Sequence, residues 1–355
     1  MCAYFSISQI YILTEPLNPP KPHASIILGI ESSCDDTAAS VLCDGKILAN
    51  VAASQSVHEQ YGGVVPELAS RAHQSNIIPV IDQALKQAGV TTDSLSAIAV
   101  TQGPGLMGSL LVGNNVAKAL CIAHQLPLIG VNHLQAHVAA LFIDHEVALP
   151  MLCLLVSGGH TQLIWVEGID QMEIIGTTQD DAAGEAFDKA AKLMGLGYPG
   201  GPLFDRLAQT GDPTKYSFPD AQTQGLNFSF SGIKTALLYF LRDQQKADAA
   251  FLDREMGHIC ASYQRQIVVS LMKRLDKAIK ERRPASLGLS GGVSANSALR
   301  TAFLQMGTHR NLPAYIPDFA YCTDNAAMVA MAGYHRFLKG DFTALDETPY
   351  ARAAH

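Results

Sequence analysis

One pattern constrains the fold of this chain more than any other: the same order of elements runs twice. In the first pass, Ile26–Glu31 reads as a strand and Ser32-Ser33-Cys34-Asp35-Asp36 as a polar turn. Residues 37–42 then read as a second strand, and Asp44-Gly45 carries the two-residue hairpin signal. A third strand at Lys46–Ala53 and a helix at Pro66–Ala88 complete the unit. Strand 96–101, helix 106–124 and strand 127–131 follow. In the second pass, strand 151–157, the turn Gly158-Gly159, strand 160–166, strand 172–177 and helix 182–194 repeat the order. Further helices are expected near 231–244, 255–282, 294–306 and 324–338, with a strand at 286–290. Such a repetition predicts a duplicated α/β unit, two lobes with a ligand cleft between them, as in actin-like and sugar-kinase-like proteins. The rival is a single doubly wound sheet. A length of 355 residues is enough for two cores, and 48% hydrophobic against 16% charged residues is a buried globular composition.

Bulk charge does not select a nucleic acid: the net charge is −7, so any RNA contact has to come from a local basic patch. Cysteines at 2, 34, 43, 121, 153, 260 and 322 are odd in number and form no CxxC pair. Reduced thiols in a cytoplasmic protein are the simplest reading. No apolar run approaches the length of a membrane span, so no membrane partner is expected. Residues 1–25 lack a basic start, are interrupted by polar residues and end in Pro16, Pro19, Pro20 and Pro22; they read as an irregular arm.

Asn132-His133-Leu134-Gln135-Ala136-His137 holds an HxxxH pair at the start of an expected helix. Residues four apart lie on one helical face at about 6 Å, close enough for two imidazoles to share a cation. The alternative is a pair of surface histidines. Leu134 stands where a zinc protease needs its glutamate, which argues against that chemistry. A third ligand has to come from elsewhere. Asp324 is a candidate, with Asp144, His145 and Glu146 as local competitors. Two histidines and a carboxylate suit Fe(II), Zn(II) or Mn(II).

Ser157-Gly158-Gly159-His160, Ser290-Gly291-Gly292-Val293-Ser294-Ala295-Asn296, Gly103-Pro104-Gly105 and Tyr198-Pro199-Gly200-Gly201-Pro202 place glycine turns at strand ends. Each alone is an ordinary tight turn. Together they fit a nucleotide cleft in which backbone N–H groups and a helix N-terminus receive an anion. No GxxxxGK[ST] loop is present. Glu31, Asp35 and Asp36 crowd one turn, where they bind a cation, move a proton or cap the turn. Lys273, Arg274, Lys277, Lys280, Arg282 and Arg283 line one helix, as a solvated face or as a partner for RNA phosphates. Arg71, His73, Lys189 and Lys192 are further candidates near the cleft.

Taken together, Gly29-Ile30-Glu31-Ser32-Ser33-Cys34-Asp35-Asp36-Thr37, Gln102-Gly103-Pro104-Gly105, the HxxxH segment, Ser157-Gly158-Gly159-His160-Thr161, Gly184-Glu185-Ala186-Phe187-Asp188-Lys189, Gly291-Gly292-Val293-Ser294-Ala295-Asn296 and Thr323-Asp324-Asn325 closely resemble the TsaD family. These are bacterial tRNA N6-adenosine threonylcarbamoyltransferases, once labelled glycoproteases. The resemblance implies an actin-like (ASKHA) fold of two RNase H-like lobes. Lobe I is drawn as 26–132 with about 325–345, and lobe II as 133–324. It implies transfer of threonylcarbamoyl from threonylcarbamoyl-AMP to the adenosine 3′ of the anticodon, in tRNAs reading codons that begin with A. It implies that His133, His137 and Asp324 hold one divalent metal, Fe(II) first and Zn(II) as the alternative. Substrate contacts are expected at Val156, Ser157, Gly158, Gly159, His160, Asp188, Gly201, Asp205 and Asn296. Asp35 and Asp36 are the candidate catalytic pair. The implied partners are tRNA, a TsaB-like paralogue and a TsaE-like ATPase. Asp36 stands where the family commonly has Glu, and the arm before Ile26 has no family counterpart. Outside this family, the alternatives are a small-molecule kinase of the same fold and a non-catalytic nucleotide-binding scaffold.

Overall fold

The computed structural model describes residues 24–352, Gln55 and Gln222 excepted. The expected arm therefore lies almost wholly outside the described residues. Two five-stranded sheets dominate. The first comprises β1 (Ile26–Glu31), β2 (Thr37–Cys43), β3 (Lys46–Ala53), β4 (Ala97–Gly103) and β5 (Leu128–Asn132), in the order β3-β2-β1-β4-β5. The second comprises β6 (Met151–Val156), β7 (Thr161–Gly168), β8 (Gln171–Thr177), β9 (Ser286–Ser290) and β10 (Ala314–Tyr315), in the order β10-β9-β6-β7-β8. In each sheet the first three strands are antiparallel and the last two join in parallel. Two sheets of one topology from one chain are the duplication that the element order predicts.

Local chemistry sets the element ends. Asp44 and Gly45 take φ of 47° and 80°, the left-handed pair of a type I′ hairpin. Helix α1 (Pro66–Ala88) starts on proline, whose missing N–H costs nothing there, and stops at Gly89 in the left-handed region. Helix α2 (Met107–His124) packs with α1 on one face of the first sheet, around Leu28, Ile30, Ile77, Ile81 and Ile98. The other face is covered by α9 (Ala326–Leu338) and by the small residues of α3 (His133–Ala139). A Cβ on Gly29 would stand 2.5 Å from the Ala326 carbonyl oxygen, so α9 lies directly on β1. Both faces being covered, β1 is buried along nearly its whole length.

The second sheet carries the larger core. Helices α4 (Ala183–Leu193), α5 (Gly200–Ala208), α6 (Ser231–Ala247), α7 (Phe251–Arg282) and α8 (Ser297–Arg310) surround Phe187, Phe204, Phe228, Tyr263 and Phe303. Leu134 and Val138 of α3 pack on its opposite face. Helix α3 thus touches both sheets at once. The glycine elbow expected at 198–202 is in fact the first turn of α5. The helix expected over 294–306 begins at Ser297, after a 3-10 turn at Gly292–Ala295, and the last helix begins at Ala326, with Asn325 as its cap.

Candidate functional site

The histidine pair is buried, which removes the surface alternative. Asn132 caps α3 by accepting N–H bonds from Leu134 (2.9 Å) and Gln135 (3.1 Å), so the helix starts at His133 directly off β5. The two rings then meet edge to face with centroids 4.7 Å apart. Nε2 of His137 lies 3.1 Å, and Nε2 of His133 3.5 Å, from Oδ1 of Asp324. Donor atoms of the three residues all fall within 4.8 Å of one another. On the far side of His133, Nδ1 faces Ser33 Oγ at 3.1 Å and Glu31 Oε2 at 3.3 Å. A hydrogen on Nδ1 donated to Glu31 leaves the Nε2 lone pair aimed at Asp324, the arrangement common behind metal-bound histidine. The donor set fits a divalent cation: two imidazole nitrogens and a carboxylate oxygen converge, with a second carboxylate behind them. Asp144, His145 and Glu146 stay outside the cluster; His145 is tied to the Leu141 carbonyl.

Electrostatics explain why this cluster is stable when protonated. Burial pushes His133 down, yet Asp324 and Glu31 outweigh it and bring it to about 9. Burial pushes both carboxylates up, but His133 holds Glu31 below its ordinary value, and His133 with His137 holds Asp324 far below. His160 is pushed down to about 4 by burial and by those two histidines, which places its ring as a neutral neighbour of the cluster. A divalent cation would replace a shared proton here.

The acidic turn adjoins the same cluster. Glu31 is fully buried and accepts from the Ser33 N–H (2.5 Å) and the Thr101 hydroxyl (2.6 Å). Its role as the backing carboxylate of His133, 102 positions away, has no signature in the sequence. Asp36 is raised to about 6, by burial first and then by the charges of Asp35, Asp324 and Glu31. His73 is buried beneath the turn, its Nδ1 2.8 Å from Thr37 Oγ1 and its Nε2 3.0 Å from the Cys34 carbonyl.

Three glycine motifs meet on the other side. Gly184 packs against the Ser157 carbonyl and Gly291 (φ +87°) against the Val156 carbonyl, each where a Cβ would stand 2.5 Å away. The ends of β6 and β9 and the start of α4 are thereby brought together. Cβ atoms added at Gly158, Gly159, Gly201 or Gly292 would meet open space within 4 Å. The Gly158 and Gly159 N–H groups have no acceptor among the described residues, which suits an anion.

The side chains expected to hold substrate are engaged in building this cradle. Asp188 accepts the Gly200 N–H at 3.0 Å. Asp205 accepts Ser297 N–H and hydroxyl at 3.1 and 2.8 Å, and Asn296 accepts Leu299 N–H at 3.0 Å while donating to Gln264 at 2.7 Å. The α8 N-terminus expected to receive an anion is therefore already capped by Asn296 and Asp205.

Much of the basic helix is engaged within the protein. Arg274 is buried and bonded to Asp220, Ser270, Ala221, Thr223 and Asn227; Lys273 pairs with Asp220, Lys280 with Asp276 and Arg282 with Glu173. Lys277 reaches the Gly225 carbonyl and Arg71 pairs with Glu67. Lys273, Arg274 and Lys277 pin the segment from Asp220 to Asn227 to α7, whereas Arg71 and Lys280 pair within their own helices.

No helix among the described residues is long and apolar enough to cross a membrane, and Cys34, Cys43, Cys121, Cys153, Cys260 and Cys322 are free. Among solved structures, full-length HypF in a phosphate- and nucleotide-bound form overlays 96% of this chain and 48% of its own, with TM-score 0.59 and 14% identity. Component A of (R)-2-hydroxyglutaryl-CoA dehydratase from Acidaminococcus fermentans gives TM-score 0.52 at 15% identity, over 89% of this chain and 99% of that one. At such identities these matches speak for the actin-like two-lobed fold alone. Sequence relatives speak for more. The tRNA N6-adenosine threonylcarbamoyltransferase of Christiangramia forsetii is 54% identical over 92% of this chain and 97% of its own length, and that of Cytophaga hutchinsonii 52% over 92% and 95%. Residues 46–331 match the family model described as TsaD, tRNA N6-adenosine threonylcarbamoyltransferase. The chain therefore belongs to the TsaD family, enzymes that modify tRNA by transferring the threonylcarbamoyl group to N6 of an adenosine.

Proposed function

We propose that the donor is threonylcarbamoyl-AMP, that the acceptor is the adenosine 3′ of the anticodon in tRNAs reading codons that begin with A, and that the reaction runs across the cleft between the metal-competent cluster and the glycine cradle. The convergence of His133, His137 and Asp324 beside unpartnered Gly158 and Gly159 N–H groups carries this reading. We take 26–132 with about 325–345 as one lobe and 133–324 as the other.

The donor is a mixed anhydride, so its carbonyl is activated before it arrives, while the exocyclic amine of adenine is a weak nucleophile. Positioning and charge stabilisation must supply most of the rate. The turn formed by Val156, Ser157, Gly158, Gly159 and His160 receives the phosphate through its backbone. Asp188, Gly201, Asp205 and Asn296 shape the wall for ribose and adenine, acting through the cradle they hold in place. The amine nitrogen of the tRNA attacks the carbamoyl carbon, the bond from that carbon to the phosphate oxygen breaks, and AMP departs. Asp35 or Asp36 takes the amine proton; Asp36, raised to about 6, is ionised at neutral pH and still basic enough to accept it. A divalent ion held by His133, His137 and Asp324, iron first and zinc as the alternative, would supply Lewis-acid neutralisation of the charge gathering on AMP. A TsaB-like paralogue and a TsaE-like ATPase are the expected partners, and the cytoplasm the expected compartment.

The test is mass spectrometry of tRNA nucleosides after incubation with threonine, bicarbonate, ATP, an activating enzyme and the partner proteins. Threonylcarbamoyladenosine is the expected product, and its absence under conditions that activate a relative would refute the reading. His137→Ala should lose bound metal and transfer together; undiminished transfer by metal-free protein would remove the metal from the mechanism.

A further inference from the structure

A cavity of about 710 Å³ opens beside the cradle, lined from the first lobe by the turn at 60–64 and from the second by α4 and residues 196–198. Its size is that of small-ligand pockets. Asp188 stands on its wall, so it is continuous with the donor cradle. Burial and the nearby charges of Asp35 and Asp188 raise Tyr198, which places the pocket within reach of the acidic turn.

The lobe I wall is a built platform. The side chain of buried His58 accepts the Val65 N–H at 3.3 Å, and its carbonyl accepts the Gly63 N–H at 3.4 Å. This closes the 3-10 turn Ser56–Tyr61 on itself and leaves Tyr61 at its end 60% exposed, facing the cavity. Gly62 and Gly63 beside it take φ of +64° and +153° with open space around them. On the opposite wall Lys189 is held by Asp181 and Glu185, each at 2.8 Å, whereas Lys192 is exposed and has no carboxylate partner among the described residues. The pocket thus offers the exposed Tyr61 ring, with Tyr198 also in its lining, and one uncommitted cation, Lys192, near the carboxylates Glu185 and Asp188. That combination repels a phosphate-dense duplex. It suits a single unstacked nucleotide, whose base needs a flat partner and whose backbone brings one nearby charge.

We propose that this cleft is the acceptor-RNA subsite, in which Tyr61 stacks the base of an unpaired nucleotide next to the reacting adenosine and Lys192 takes its phosphate. The inference rests on the reading of the reaction given above. It adds residues that hold the acceptor strand open, which chemistry on a base requires.

The experiment titrates a labelled anticodon stem-loop RNA, and in parallel AMP as the donor-side probe, into the active complex carrying Tyr61→Ala, Tyr61→Trp or Lys192→Glu. Tyr61→Ala is expected to weaken RNA binding about tenfold or more, and Tyr61→Trp to restore it. Lys192→Glu should weaken RNA binding and lower its salt slope by about one. AMP affinity should stay unchanged in all three. Unchanged RNA affinity overturns the proposal, and so does a parallel loss of AMP affinity, which would give the cleft to the donor. Because the titration needs no turnover, a wild-type complex that fails to make threonylcarbamoyladenosine yet shows these RNA effects would sink the donor reading and leave the subsite standing.

Discussion

Arg274 separates two accounts of the basic helix, and replacing it with alanine tests them. All three guanidinium nitrogens are committed: Nη1 to Asp220 (3.0 Å) and Ser270 Oγ (2.8 Å), Nη2 to the Ala221 carbonyl (2.6 Å) and Thr223 Oγ1 (3.2 Å), and Nε to the Asn227 carbonyl (3.3 Å). Stripping one partner from a buried ion pair costs about 3–5 kcal/mol. Here Asp220 stays about a quarter exposed and keeps Lys273 at 2.9 Å, so its share is discounted. Two carbonyls that lose their donor add about 1 kcal/mol each. The expected loss is about 3 kcal/mol, or about 6–12 °C in the midpoint of a lobe of this size. Thermal and urea unfolding of Arg274→Ala measure it, with RNA titration of the folded variant at low temperature as the control. Arg274→Lys should recover only part, since a point charge cannot serve five acceptors on a fixed fork. The pH dependence has a definite sign. Burial raises Asp220, but Lys273 and Arg274 outweigh it and hold it below 3.8. Its contribution is therefore present above about pH 4 and is lost as pH falls through the depressed value, so the gap between parent and variant narrows in acid. A variant within about 0.5 kcal/mol of the parent, a typical surface effect, that loses RNA affinity while folded would refute the structural account.

Three further outcomes follow from the site. Arg300 bridges the Ser294 carbonyl (3.3 Å) on the glycine side to the Pro317 carbonyl (3.5 Å) on the loop leading to Asp324, and lies 4.4 Å over the Phe319 ring; Arg300→Met should weaken zinc binding and AMP binding together by about tenfold, as calorimetry would show, and an effect on one alone would break the link. Asp36 is raised to about 6 by burial, so its ionised form lowers stability above that pH and adds no penalty below 3.8; Asp36→Asn should gain up to about 3 kcal/mol at pH 7.5, gain nothing near pH 3.5, and lose transfer if Asp36 is the proton acceptor. Gly29→Ala would press on the Ala326 carbonyl and on Ala330, costing about 1–3 kcal/mol and shifting α9 with Asp324 ahead of it; metal affinity should fall with the melting midpoint, and an unchanged metal isotherm would show that the two are uncoupled.

What was legible in the chain was local. Strand ends coincide with Asp44-Gly45 and Gly158-Gly159, and α1 runs over the residues its proline and glycine delimit, because such signals act within a few residues. Helix α5 has no local signal because Gly200, Gly201 and Pro202 look like a loop. Yet Gly200 is there for packing, a Cβ falling 2.4 Å from that of Ala191, and proline is tolerated in a first helical turn. Strand β10 spans two residues and carries no period to read. Lys273 meets Asp220 and Arg282 meets Glu173 across 53 and 109 positions, beyond any window of spacing. The use of Asp205 and Asn296 as the cap of α8 had no local signal, since Ser297 looks like any other polar residue after a turn.

The histidine pair shows how a distant residue completes a local motif. Spacing places two imidazoles on one face, and the Asn132 cap decides where that face begins. What turns the pair into a cluster that could hold a metal comes from β1, through Glu31, and from the residues before α9, through Asp324. Both are tied together at Gly29, where α9 lies on β1 without room for a methyl group. Helix α3 itself is packed on the first sheet through Ala136 and Ala139 and on the second through Leu134 and Val138. The three candidate ligands therefore sit at the seam of the two sheets, each on an element whose position the other sheet or its covering helix restrains.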